Sequence, residues 1–132
     1  MPRKKIFETK YTVGDFDPPA PILTIYLSPP LVKEDFKEIQ GQIDTGADFT
    51  CVPEEFAKEL HLRSIGYVNA KDFHHRSVRL KTYLAKLHIP SIFKDTIRVI
   101  GTNDQVALIG RDVLNQLHIE LDGVNQILRI KL

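Results

Sequence analysis

At 132 residues the chain suits one domain, and 42% hydrophobic with 27% charged residues is the composition of a globular rather than a disordered protein. A formal net charge of +1 gives no broad electrostatic case for nucleic acid or an anionic membrane as partner. No apolar run approaches the roughly 20 residues that span a bilayer, and Cys51 is the single cysteine, so an intrachain disulfide is excluded.

The basic opening, Arg3-Lys4-Lys5, reads as a solvated terminus, and no signal-peptide core follows it. With one cysteine, a cytoplasmic setting is expected. Ile6 to Val13 alternates as a half-buried strand should, and Gly14-Asp15-Phe16-Asp17-Pro18-Pro19 breaks it. Ile22 to Leu27 is apolar and β-branched, ended by Ser28-Pro29-Pro30. Residues 36 to 44 form the next expected strand and deliver Asp44 at its end. Residues 53 to 60 read as a short helix, with proline and acids in the first turn and Phe56 and Leu60 on one face.

Tyr67 to Ile89 holds two expected strands around the polar stretch AKDFHHRS. Ile97 to Ile100 and Val106 to Ile109 are two more. Arg111 to Leu117 reads as a second short helix with Val113, Leu114 and Leu117 on one side. The chain closes on a hairpin, HIELDGVNQILRIKL, with Asp122-Gly123 as its expected turn. No repeat or linker interrupts this order, which predicts a single all-β domain with two short helices.

The stretch GQIDTGADFT sets a carboxylate at a strand end and follows it with small residues. A carboxylate that activates water must be held rigidly and must leave room for substrate. Gly46 permits an uncrowded backbone, Thr45 offers a hydroxyl, and Ala47 leaves space. Taken alone, Asp44-Thr45-Gly46 is better read as an ordinary surface Asp-x-Gly turn. The later segment Ala107-Leu108-Ile109-Gly110-Arg111-Asp112-Val113-Leu114 changes the context: apolar residues and a glycine lead into a helix start.

Together, IDTGAD and LIGRDVL resemble, in order and separation, the two signatures of retropepsin-like aspartic proteases, the group that includes retroviral proteases. The resemblance covers residues 20 to 132. It implies a closed β-barrel with one or two short helices, active as a two-fold homodimer that hydrolyses peptide bonds in peptide or protein substrates. Residues 1 to 20 would be an N-terminal strand or extension, at the dimer interface. Asp44 would be the catalytic aspartate, and Thr45 would link the two catalytic loops through its hydroxyl. Gly46, Ala47 and Asp48 would lie along the substrate, and Arg111 would pair with Asp48. A cation at a helix start is otherwise slightly unfavourable. Asp-Thr-Gly occurs once, so the resemblance implies that the second aspartate is Asp44 of another copy.

Between the signatures the family has a β-hairpin flap, glycine-rich at its tip. Here Ala70-Lys71-Asp72-Phe73-His74-His75-Arg76-Ser77 has no glycine. Phe73 is expected to cover the cleft, with His74, His75 or Arg76 contacting substrate carbonyls. A glycine-free tip also fits a dimer of this fold that binds peptides without cleaving them efficiently. No metal or other cofactor is expected, because adjacent side chains on a strand, such as His74 and His75, point to opposite faces. Cys51, in DFTCVP, reads as a buried structural thiol rather than a nucleophile. No nucleic-acid or membrane partner is expected.

Overall fold

The computed structural model describes residues 5–31, 34–71 and 74–132. Ten strands and two helices follow in the order β1 (Ile6–Lys10), β2 (Ile22–Ser28), β3 (Lys37–Ile43), β4 (Cys51–Pro53), α1 (Glu54–Glu59), β5 (Arg63–Lys71), β6 (Ser77–Ile89), β7 (Phe93–Thr102), β8 (Ala107–Ile109), α2 (Arg111–Leu114), β9 (His118–Asp122) and β10 (Ile127–Lys131). The strands β2-β3-β8-β4-β7-β6 form a continuous sheet that an additional β2–β6 pairing closes into a six-stranded barrel. Alternation fills its interior: Ile25 and Leu27 of β2, Ala85 and Leu87 of β6, Val99 of β7 and Ile109 of β8 are all buried. No helix among the described residues is long and apolar enough to cross a membrane.

A second sheet runs β1-β10-β9, built from both ends of the same chain. Its inner face contributes Leu128 and Ile130 to the core. On its outer face Arg129 Nε donates to Glu8 at 2.7 Å and the guanidinium lies 3.6 Å from Glu120 and Asp122. The first strand therefore stops at Lys10, shorter than the expected run to Val13, because pairing with β10 ends at Ile127. The closing hairpin also differs from expectation. Ile127 pairs with Asp122, which leaves a four-residue loop rather than an Asp-Gly turn. The left-handed residue is Gln126 (φ 54), and the Asp122 carboxylate holds the loop by accepting from the Asn125 amide at 3.0 Å and its side chain at 2.9 Å.

Other boundaries shift for local reasons. Pro53 caps α1 from outside rather than entering its first turn, with φ −58 and ψ 124. Helix α2 ends at Leu114 instead of Leu117, and single-turn hydrogen bonds carry the chain to β9. Strand β7 begins four residues earlier than its apolar centre suggests, since its first half pairs with β6 while exposing Lys94, Asp95 and Thr96. Strand β5 likewise starts at Arg63 under exposed polar residues. A bulge between Ser64 and Gly66 interrupts its pairing with β6, and Gly66 sits at φ 135, a conformation open to glycine. Residues 67–71 and 77–81 pair with each other alone, because the β6–β7 ladder begins at Thr82. They form a two-stranded hairpin that projects from the barrel.

Candidate active site

The site is made by a crossing of chain. Strands β3 and β4 are consecutive in sequence, yet β8 lies between them, parallel to β3 and antiparallel to β4. The 44–50 loop must therefore pass over the end of β8. Gly110 makes that passage possible: a Cβ there would lie 2.5 Å from the Phe49 carbonyl carbon and 2.9 Å from the Thr50 nitrogen. Its φ of −90 is ordinary, so space rather than conformational freedom selects glycine.

Asp44 follows β3 directly. Its amide donates to the Ile109 carbonyl at 3.0 Å, which fixes the loop to β8. The Gly46 amide donates to Asp44 Oδ1 at 3.0 Å, and a Cβ on Gly46 would crowd that same oxygen at 3.3 Å. Gly46 is thus an amide that approaches a carboxylate closely, and it does not use the left-handed region. Asp44 is half-buried, while Thr45 and Gly46 are exposed. The Thr45 hydroxyl makes no hydrogen bond to the described residues of its own chain, and no other described carboxylate of the chain hydrogen-bonds Asp44.

Arg111 ties the loop to α2. Its amide donates to the Ala47 carbonyl at 2.9 Å, Nη1 donates to the Thr45 carbonyl at 2.8 Å, and Nη2 contacts the Asp48 carboxylate. Asp48 and the guanidinium remain substantially exposed, so this contact orients the loop more than it stabilises the fold.

Beneath it lies a buried arrangement that sequence reading missed. Thr50 is fully buried; its hydroxyl donates to Asp112 Oδ1 at 2.8 Å, and its amide donates to Asp112 Oδ2 at 3.1 Å. The same hydroxyl oxygen accepts the Gly110 amide at 3.2 Å. Asp112 also accepts the Val113 amide at 2.9 Å, as an acid in a helix first turn commonly does. Thr50 and Asp112 are 62 positions apart. Nothing in either local sequence announces the pairing.

Cys51 follows on β4. Burial first, then the nearby carboxylates of Asp112, Asp44 and Asp104, push its thiol from an ordinary 9.0 up to about 11. A thiol so raised stays neutral and is a poor nucleophile.

The remaining expected site residues lie on the projecting hairpin. His74 and His75 are exposed at its tip, in a turn rather than on a strand, with His75 at φ 59. Opposite-facing strand geometry therefore does not apply to them. Phe73 and Asp72 lie outside the described residues. Among the described residues no three His, Cys, Asp or Glu side chains converge as a metal site. A groove of about 410 Å³ between Tyr26, Phe36 and His88 involves none of the loop residues.

A family model described as retroviral aspartyl protease matches residues 19–122. No curated protein sequence matches the chain. Among solved structures, a retropepsin-like aspartic protease from Rickettsia conorii aligns over 99% of this chain and 95% of its own, with 17% identity and a TM-score of 0.59. EIAV protease complexed with the inhibitor HBY-793 aligns over 74% of this chain and 86% of its own, at 16% identity and a TM-score of 0.58. A foamy viral protease-reverse transcriptase in complex with double-stranded DNA shares 26% identity over 76% of this chain, with a TM-score of 0.55. This chain covers 16% of that much longer one.

Proposed function

Because the chain belongs to the retroviral aspartyl protease family, we propose that it is an aspartic endopeptidase whose catalytic pair is Asp44 from each of two identical subunits. The observation that carries this reading is the Asp44 loop itself. One carboxylate is held by the Gly46 amide and its loop by contacts to Arg111, with small residues around it and no second carboxylate bonded to it among the described residues of its own chain. A second copy on a two-fold axis supplies the missing partner.

Two carboxylates in contact cannot both ionise cheaply, so the pair shares a proton, as is established for aspartic proteases as a class. The ionised member takes a proton from water, and the resulting hydroxide attacks the peptide carbonyl. The protonated member donates to that carbonyl oxygen as charge develops there. Gly46, Ala47 and Asp48 line the substrate path in this reading, and the exposed Thr45 hydroxyl meets the partner loop. The β5–β6 hairpin acts as the flap, bending at Gly66, with His74 and His75 toward substrate.

Residues 20–132 are the protease domain in this reading, and the N-terminal segment braces it through β1. A cytoplasmic homodimer acting without cofactor completes the proposal. The glycine-free hairpin tip supports one second reading, a dimer of the same fold that binds peptides without cleaving them.

The test is digestion of an unfolded protein substrate at acid and neutral pH, with and without a pepstatin-like inhibitor, by the wild type and by Asp44→Asn. Cleavage by the wild type alone is expected, with both proteins folded and dimeric by sedimentation at micromolar concentration. Cleavage retained by a clean Asp44→Asn preparation, or a monomer at that concentration, would overturn the mechanism. Binding without cleavage by the wild type would select the second reading.

A further inference from the structure

The outward face of the barrel carries a concentration of positive charge that the near-neutral composition conceals. Inward residues of β6, including Tyr83, Ala85, Leu87 and Ile89, are buried. The alternate residues Leu84, Lys86 and His88 therefore face out. The register sets their neighbours. Leu84 lies between Arg63 of β5 and Arg98 of β7, Lys86 between Ser28 and Thr96, and His88 between Tyr26 and Lys94.

Four permanent cations thus stand on one face of three adjacent strands, with rows about 6.8 Å apart along the strands. Arg63, Arg98 and Lys94 are exposed and Lys86 is half-buried. Among the described residues none of the four has a carboxylate partner. On this pleat of the pairing grid the nearest carboxylate is Glu38, beyond Tyr26 on β3, where it accepts the Tyr26 hydroxyl at 3.5 Å. Asp95, next to Lys94, pairs with the inward Leu87 and belongs to the opposite pleat.

Aromatic rings border the cationic rows. Phe36 is 56% exposed and meets Tyr26 edge-on at 5.7 Å between centroids. Tyr26 in turn lies 6.2 Å from the His88 ring. These rings and the two lysines line the groove of about 410 Å³ noted above. An exposed phenyl ring gains little in water beside unpaired ammonium groups. A ligand with both negative charge and flat apolar rings satisfies the two together.

We propose that this face binds single-stranded nucleic acid, with Arg63, Lys86, Lys94 and Arg98 on the phosphates and Phe36 and Tyr26 under the bases. Rows of cations beside stacking rings are the combination by which proteins hold single strands without reading sequence. An acidic polypeptide or an anionic membrane would use the cations but leave the rings idle. The site is independent of Asp44 and of the protease reading.

The test is fluorescence anisotropy with a labelled single-stranded oligonucleotide of about 12 nucleotides, within the span one small barrel face covers. The wild type, Lys94→Glu/Arg98→Glu, Phe36→Ala and Asp44→Asn are compared across salt concentrations. Four phosphate contacts predict a log–log salt slope near −3, and the double reversal should lower affinity at least 10-fold and flatten the slope by about 1.4. Phe36→Ala should lower oligonucleotide affinity roughly 10-fold, and Asp44→Asn should leave it unchanged.

Phe36, Lys94 and Arg98 are exposed and Asp44 is half-buried, and circular dichroism verifies the fold of each variant. Absence of wild-type binding at low salt would overturn the proposal. So would equal competition by polyglutamate or phosphatidylserine vesicles, or a wild-type response from the charge-reversed protein.

Discussion

Replacing Thr50 with valine removes one hydroxyl from a site closed to solvent. Thr50 is 0% exposed, and the shapes of the two side chains are nearly the same. Two hydrogen bonds disappear: the donation to Asp112 Oδ1 at 2.8 Å and the acceptance from the Gly110 amide at 3.2 Å. A hydrogen bond to a charged acceptor contributes about 1.5–3 kcal/mol, and a buried amide left unpaired costs about 1–3 kcal/mol. The Thr50 amide still reaches Asp112 Oδ2, which offsets part of this. A net loss of about 3 kcal/mol follows.

Urea denaturation followed by circular dichroism reads it directly. With an m-value of about 2 kcal/mol/M, the midpoint should fall by about 1.5 M at unchanged m. Thr50→Ser keeps the hydroxyl and loses a methyl, so it should cost only about 1 kcal/mol. A Thr50→Val loss below about 1 kcal/mol, or one no greater than that of Thr50→Ser, would refute the assignment of this pair as the clamp beneath the loop.

Gly110→Ala should be more severe than an ordinary helix-end substitution, because its Cβ would meet the Phe49 and Thr50 backbone at 2.5–2.9 Å. A loss of at least about 3 kcal/mol in thermal unfolding is expected, together with loss of any cleavage activity. Cys51 should react with iodoacetamide slowly in the folded protein, with a reactivity midpoint near pH 11 against about 9 after unfolding. Tyr83, buried and donating to Glu54 Oε1 at 3.0 Å, is likewise raised from 10.0 to about 12. Both groups hold their protons more tightly folded than unfolded. Their stabilising contribution is therefore complete below pH 9 and is lost as pH climbs through about 11 to 12. Cys51→Ala should flatten the first part of that alkaline decline in urea midpoints measured between pH 8 and 11; an unchanged profile would discount the Cys51 contribution.

Local chemistry made much of this protein legible from its residues. The apolar, β-branched run at Ile22 to Leu27, the two runs within Tyr67 to Ile89 and the apolar segment before Gly110 imply strands by composition alone. Asp44-Thr45-Gly46 and Gly110-Arg111 stand out because a close approach of backbone requires small residues wherever it occurs. Where exposed polar residues form the strand, as at Arg63 and Ser64 and at Lys94 to Thr96, side-chain pattern is silent. Pairing with a neighbouring strand is what holds those residues extended.

Only the tertiary structure decided the rest. Insertion of β8 between β3 and β4 brings Thr50 to Asp112 across 62 positions, and no local pattern records which of several carboxylates a buried hydroxyl will meet. Both termini join one sheet for the same reason, since pairing partners are set by register over the whole chain. Charge shows the contrast most sharply. A sum of +1 is fixed by composition, but the gathering of four cations on one face depends on which strands lie side by side, a property of the folded barrel and not of the string of residues.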